Sequence, residues 1–259
     1  MNPQENQPEN TATSSQLSAK RAFALFALFL AIQTLTGLLI GVIVGVVAVL
    51  QGANLQDPEV MAQINQQAIL LATISGFSLA SIIVLYLATH WFPQEIHERS
   101  MNGAAWKIGP PQPLFLSFGG GLLIAITYLV LAPLISTPPG EESMGPFAQM
   151  TTTPGLQQIV ALVIALLLAP PVEELLFRGV MFGGFCRSFG PAWAATLTTL
   201  LFVASHITEA LHFWPAFLFI GLMALAALWL RVFTRTIGPS IALHFGYNLA
   251  MLSTILLAT

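Results

Sequence analysis

The sequence predicts an all-α fold, a polytopic bundle of about seven transmembrane helices behind a polar N-terminal tail. Three observations predict it. Of 259 residues, 56% are hydrophobic and only 7% are charged, against about 25% charged in a soluble domain. The apolar residues gather in runs long enough to cross a bilayer, which takes about 20 residues of helix. The basic residues sit almost entirely in alternate connections between those runs, as the positive-inside rule expects.

Taken in order, residues 1–19 are rich in Asn, Gln, Ser, Thr and Pro and read as a disordered tail. The tail lacks the basic start of a signal peptide, and the apolar run behind it is too long for an h-region, so we expect it to be retained. Residues 20–259 then form a single transmembrane domain. Its spans are predicted near 22–50, 68–92, 113–136, 156–187, 190–212, 213–233 and 237–258. The fourth run is too long for one straight crossing and contains Pro170-Pro171, which predicts a kink or break. Splitting that run would give eight helices.

The charges orient the bundle. The eight basic residues are Lys20, Arg21, Arg99, Lys107, Arg178, Arg187, Arg231 and Arg235. With seven spans and a cytoplasmic N-terminus, all but Arg178 fall at or near a cytoplasmic end. The loops 51–67 and 137–155 carry Asp57, Glu59, Glu141 and Glu142 and no base. A plain N-terminus and short loops point to a prokaryotic inner membrane. The net charge of -3 is unremarkable and no basic run suggests nucleic acid, so we expect no nucleic-acid partner. A single cysteine, Cys186, excludes an internal disulfide and a Cys-rich zinc site.

Small residues mark close approaches. Gly37, Gly41 and Gly45 form a stripe that lets another helix come near. We read it as packing within the chain, with a homodimer contact as the other reading. Gly119-Gly120-Gly121 reads as packing or a bend. No internal repeat supports the paired halves of many transporters.

The polar residues inside the spans carry the chemistry. Glu173, Glu174 and Arg178 lie on the fourth run after the prolines. Glu174 and Arg178 are four apart, on one helix face and able to pair. Glu173 is turned about 100° away, so one carboxylate is neutralised and the other is left for chemistry. The plainer reading is a buried ion cluster that only fixes packing. Glu141-Glu142 is a useful contrast: it lies in a Pro/Gly/Ser loop with no arginine four residues on, and reads as solvated. On the fifth span, Phe202 and His206 share a face, so the ring can hold the imidazole. Glu209 and His212 follow towards the outer end and read as interfacial. On the seventh span, His244 and Asn248 are again four apart. His90 and His97 lie at a boundary and in a loop and receive no role. Helix rise places Glu173 near mid-membrane, His206 past the middle of its span, and His244 and Asn248 near the middle of theirs.

A carboxylate and an imidazole can jointly deprotonate a water. A second imidazole and an amide can donate to a developing oxyanion. Glu173, His206 and His244 are also a plausible zinc set, and a proton-coupled carrier would use similar residues as a relay.

The three motifs, EELLFR at 173–178, FVASH at 202–206 and HFGYN at 244–248, resemble the CPBP family in content and order. That family contains the CaaX prenyl endopeptidases and the bacteriocin-processing and abortive-infection membrane proteins. The resemblance covers roughly 155–255, the catalytic core it implies, while the first half supplies generic helices. It implies an intramembrane endopeptidase acting on a membrane-embedded or lipidated protein or peptide. Glu173 with His206 would activate water, and His244 with Asn248 would hold the oxyanion. Glu174, Arg178 and Phe202 would shape the site. The family is often labelled a metalloprotease family, yet its prenyl-protease members resemble glutamate-dependent enzymes that need no metal. We expect no cofactor, with zinc as the alternative. A non-catalytic immunity or scaffold protein is the rival class, and a proton-coupled transporter ranks behind it.

Overall fold

The computed structural model describes residues 17–136 and 155–258. Most of the polar tail and the Glu141-Glu142 loop therefore lie outside the described residues. The described residues form a helical bundle without strands. Its elements are α1 (Ala19–Leu50), α2 (Pro58–Trp91), α3 (Pro111–Ile135), α4 (residues 156–189), α5 (Pro191–Ser205), α6 (Ile207–His212), α7 (Pro215–Thr234) and α8 (Gly238–Ala258). Among the described residues, five stretches are long and apolar enough to cross a membrane: Ala19–Leu50, Pro58–Trp91, Pro111–Ile135, Gln158–Phe189 and Pro215–Thr234. Pro191–Ser205 is a shorter apolar helix.

The helix starts follow from local chemistry. The Asp57 carboxylate caps α2 by accepting from the Glu59 N–H at 2.9 Å, with Pro58 in the first turn. Prolines also open α3, α5 and α7, where a missing N–H costs nothing. Gly190, at φ 83°, makes the tight turn from α4 into α5.

The second half of α4 is the centre of the molecule. Every residue from Glu174 to Cys186 is buried. Phe177 lies edge-on to Phe26 of α1 at 5.5 Å and to Phe202 of α5 at 5.0 Å. Glycines let backbone reach α4 directly. A Cβ on Gly183 would stand 2.7 Å from the Gly103 carbonyl, and one on Gly184 would stand 2.8 Å from the Ser18 carbonyl. The α2–α3 loop, residues 92–110, thus lies against α4. The same loop holds the start of α8, where Ile237 and Gly238 donate to the carbonyls of Ala105 and Lys107.

Three expectations change. The fourth run neither breaks nor splits at Pro170-Pro171. It stays helical through two π-helical stretches, Ile164–Leu168 and Leu175–Met181, which absorb the backbone disturbance. The fifth span is interrupted at His206, which separates α5 from the short α6. The glycine stripe of α1 packs only at Gly37, against Ala72 of α2, while Gly41 and Gly45 meet nothing within 4 Å. Arg231 lies in the last turn of α7, as expected, where it is fully buried and donates from Nη2 to the carbonyls of Ser100 and Gly103 at 2.9 and 2.8 Å. Packing accounts for Gly121, where a Cβ would collide with the α8 backbone at Leu243.

Candidate active site

Three helices bring the singled-out side chains together. On α4, the Arg178 Nη1 donates to Glu174 Oε1 at 3.0 Å, and its Nη2 donates to the Ala224 carbonyl of α7 at 3.1 Å. The guanidinium lies over the Phe202 ring, 4.1 Å from its centre. This is a cation–π contact in a dry setting. The pair is buried, with side chains 3% and 0% exposed.

Glu174 has a second partner. His244 of α8 places Nδ1 2.9 Å from the same Oε1. A carboxylate oxygen only accepts, so Nδ1 carries the proton and Nε2 is turned away from Glu174. His206 is set by the same logic. Its Nδ1 lies 2.9 Å from the Phe202 carbonyl, which also only accepts. The Ser205 hydroxyl, which donates to that carbonyl at 2.7 Å, stands 3.2 Å from His206 Nδ1. His206 sits at the broken end of α5 with φ −109° and ψ 23°, the sparsely occupied bridge region where active-site residues recur. The Phe202 ring is 4.7 Å from the His206 ring and 6.0 Å from the His244 ring.

Both Nε2 atoms face Glu173. Its Oε2 is 3.9 Å from His206 Nε2 and 3.9 Å from His244 Nε2. Those gaps are too wide for hydrogen bonds. The oxygen is buried and has no hydrogen-bond partner among the described residues. The two glutamates therefore differ as their offset on the helix predicts. Glu174 is tied to an arginine and a histidine, and Glu173 is presented to two imidazoles.

Asn248, one turn beyond His244, is engaged elsewhere. Its Nδ2 donates to the Ala165 carbonyl of α4 at 2.9 Å. Glu173 lies half-way along α4, as expected, but His244 is only two turns from the start of α8 rather than near its middle. The α2–α3 loop holds that first turn of α8 against the flank of α4, which brings the two levels together. Among the described residues, no three His, Cys, Asp or Glu side chains are gathered as a metal-binding group. Sequence reasoning missed Ser205 and the two backbone acceptors, Ala165 and Ala224. Ser205 stands beside His206 and was a readable signal, whereas the carbonyls carry none.

Residues 155–250 match the family model for type II CAAX prenyl endopeptidases, Rce1-like. This segment is similar to that family. The match spans all three motifs and agrees with the CPBP resemblance read from them. No curated protein and no solved structure matches. The Rce1-like segment supports the function of a CAAX-type intramembrane protease, and together with the apolar helices it makes the chain an integral membrane protein.

Proposed function

We propose that this chain is an endopeptidase that hydrolyses a peptide bond of a membrane-associated or lipidated protein or peptide. One observation carries the reading. Glu173 Oε2 is a buried acceptor without a hydrogen-bond partner among the described residues, equidistant at 3.9 Å from two imidazole nitrogens. A water oxygen can bridge such gaps at ordinary hydrogen-bond lengths of about 2.8 Å.

In this mechanism Glu173 and His206 hold the water against the scissile carbonyl. Glu173 takes its proton as the oxygen attacks. The carbonyl oxygen, now negative, receives hydrogen bonds from His244 Nε2, when that nitrogen is protonated, and from the Asn248 amide. The tetrahedral intermediate collapses, and Glu173 returns the proton to the leaving amine. Glu174 holds His244, and Arg178 neutralises Glu174. No step passes through a metal, so the reading needs no cofactor. The bilayer is the medium, and nucleic acid plays no part. The exposed bases Lys20, Arg21, Arg99, Lys107, Arg187 and Arg235 lie at the α1 start, the α2–α3 loop, the α4 end and the α7–α8 turn. We assign that end to the cytoplasm of a prokaryotic inner membrane.

The test compares peptide termini in membranes holding wild type or Glu173→Gln at equal levels. Termini found only with wild type are expected, since losing a general base costs about 10²- to 10⁴-fold. Identical termini from two folded, abundant proteins would shift the reading to a non-catalytic membrane partner.

A further inference from the structure

Pro170 has no N–H to give. Ala169, just before it, donates its own N–H to Ile164 rather than to Ala165. The Ala165 carbonyl is therefore left without a backbone donor four residues on, where the N–H is already used, or five residues on, where there is none. Ala165 is buried, and a buried carbonyl needs a partner. Asn248 supplies it from α8, 83 residues away, through Nδ2 at 2.9 Å.

That contact constrains the amide. The side-chain nitrogen of asparagine carries two hydrogens, both in the plane of the amide group. When one is held on the Ala165 carbonyl, the direction of the other is set. His244, one turn earlier on α8, is held in the same way by Glu174. The two proposed oxyanion donors are thus each anchored to α4, one on a side chain and one on a carbonyl that a proline leaves open.

We propose that Pro170 is a positioning residue for Asn248: by withholding a backbone donor from Ala165, it keeps the Asn248 amide in one orientation with its second N–H available to the oxyanion. The proposal rests on the reading of Asn248 as an oxyanion donor. It also gives Pro170 a role in a helix that does not break. A proline that served only to bend α4 would act on catalysis independently of Asn248.

The experiment uses the full chain in nanodiscs as wild type, Pro170→Ala, Pro171→Ala, Asn248→Ala and the Pro170→Ala/Asn248→Ala double variant. The first readout is independent of activity. With ¹⁵N-labelled asparagine, the Asn248 side-chain signal is assigned by its loss in Asn248→Ala. It is expected to move in Pro170→Ala, whose new N–H competes for the Ala165 carbonyl. It is expected to stay in Pro171→Ala, whose new N–H faces Leu166 and Leu167 instead. The second readout is turnover of a peptide spanning a Glu173-dependent cleavage site. Pro170→Ala should lower kcat about tenfold, the worth of one misdirected hydrogen bond, with KM little changed. Asn248→Ala should lose about 10²- to 10³-fold, and the double variant should lose no more than Asn248→Ala.

An unmoved signal in Pro170→Ala, or losses that multiply in the double variant, overturns the proposal. If wild type cleaves nothing, the protease reading fails alone and the spectrum still decides the link. If Pro170→Ala does not fold, exchange in wild type decides it. One Asn248 amide hydrogen should exchange with solvent more slowly than the other, and equal fast exchange overturns the proposal.

Discussion

Arg178→Leu is expected to destabilise the bundle by about 3–5 kcal/mol, the cost of breaking one side of a buried ion pair. The structure shows where that cost arises. The Glu174 side chain is fully buried, and its Oε2 has no hydrogen-bond partner among the described residues. Its Oε1 receives Arg178 at 3.0 Å and His244 at 2.9 Å. Without the guanidinium, a carboxylate in a dry helix interface keeps one donor. The Ala224 carbonyl also loses its hydrogen bond, worth about 1 kcal/mol. The Glu174→Leu/Arg178→Leu double variant removes both charges, and such apolar replacements are often neutral or better. It leaves the His244 Nδ1–H without its acceptor, a penalty of about 1–3 kcal/mol. The double variant should therefore be more stable than Arg178→Leu and less stable than wild type. Thermal unfolding in one detergent measures the order, with a shift of roughly 2–4 °C per kcal/mol for a chain of this size. The double variant should also be inactive, because nothing then orients His244. An Arg178→Leu protein that unfolds with wild type, or a double variant less stable than the single, would refute the idea that pairing is what lets Glu174 stay buried.

Glycines on two helices should respond oppositely to the same change. Gly183→Ala forces a Cβ to within 2.7 Å of the Gly103 carbonyl and 3.0 Å of Leu17, so unfolding midpoints should report a loss of about 1–3 kcal/mol. Gly41→Ala meets nothing within 4 Å and should be neutral or stabilising by up to about 1 kcal/mol. Ser205→Ala removes the hydroxyl beside His206 Nδ1 and should lower kcat about fivefold with KM unchanged, as one ordinary hydrogen bond would. Dialysis against a strong chelator should leave turnover unchanged. Activity lost on chelation and restored by zinc would instead make Glu173, His206 and His244 ligands.

The candidate site was legible where it depends on helical spacing. Residues four apart share a face, so Glu174 with Arg178 and Phe202 with His206 could be paired from the sequence, and both pairs touch. The offset of Glu173 from Glu174 likewise follows from the turn of the helix. What was not legible depends on partners far along the chain. Pro170-Pro171 reads locally as a break, yet α4 continues through two π-helical stretches, and Asn248 of α8 meets the buried Ala165 carbonyl there. His206 ends α5 without a nearby glycine or proline to announce it. Arg231 looks interfacial by position, but the α2–α3 loop folds over it and takes its hydrogen bonds. For Pro170-Pro171 and Arg231 the missing information is a tertiary contact that no local signal announces.

The first half of the chain, which reads as generic membrane helix, has a definite part in this arrangement. The α2–α3 loop rests its backbone on α4 at Gly179 and Gly183, roughly one and a half to two and a half turns from Glu174. It also holds the first turn of α8 through Ile237 and Gly238. The relative height of α4 and α8 is thus set by a segment outside the Rce1-like match, and that height decides whether His244 reaches Glu174. A helix shifted by one residue moves about 1.5 Å along its axis, enough to turn the 2.9 Å contact between His244 and Glu174 into none. The motif residues supply the chemical groups of the candidate site, and the loop from the first half holds two of its helices at the level where those groups meet.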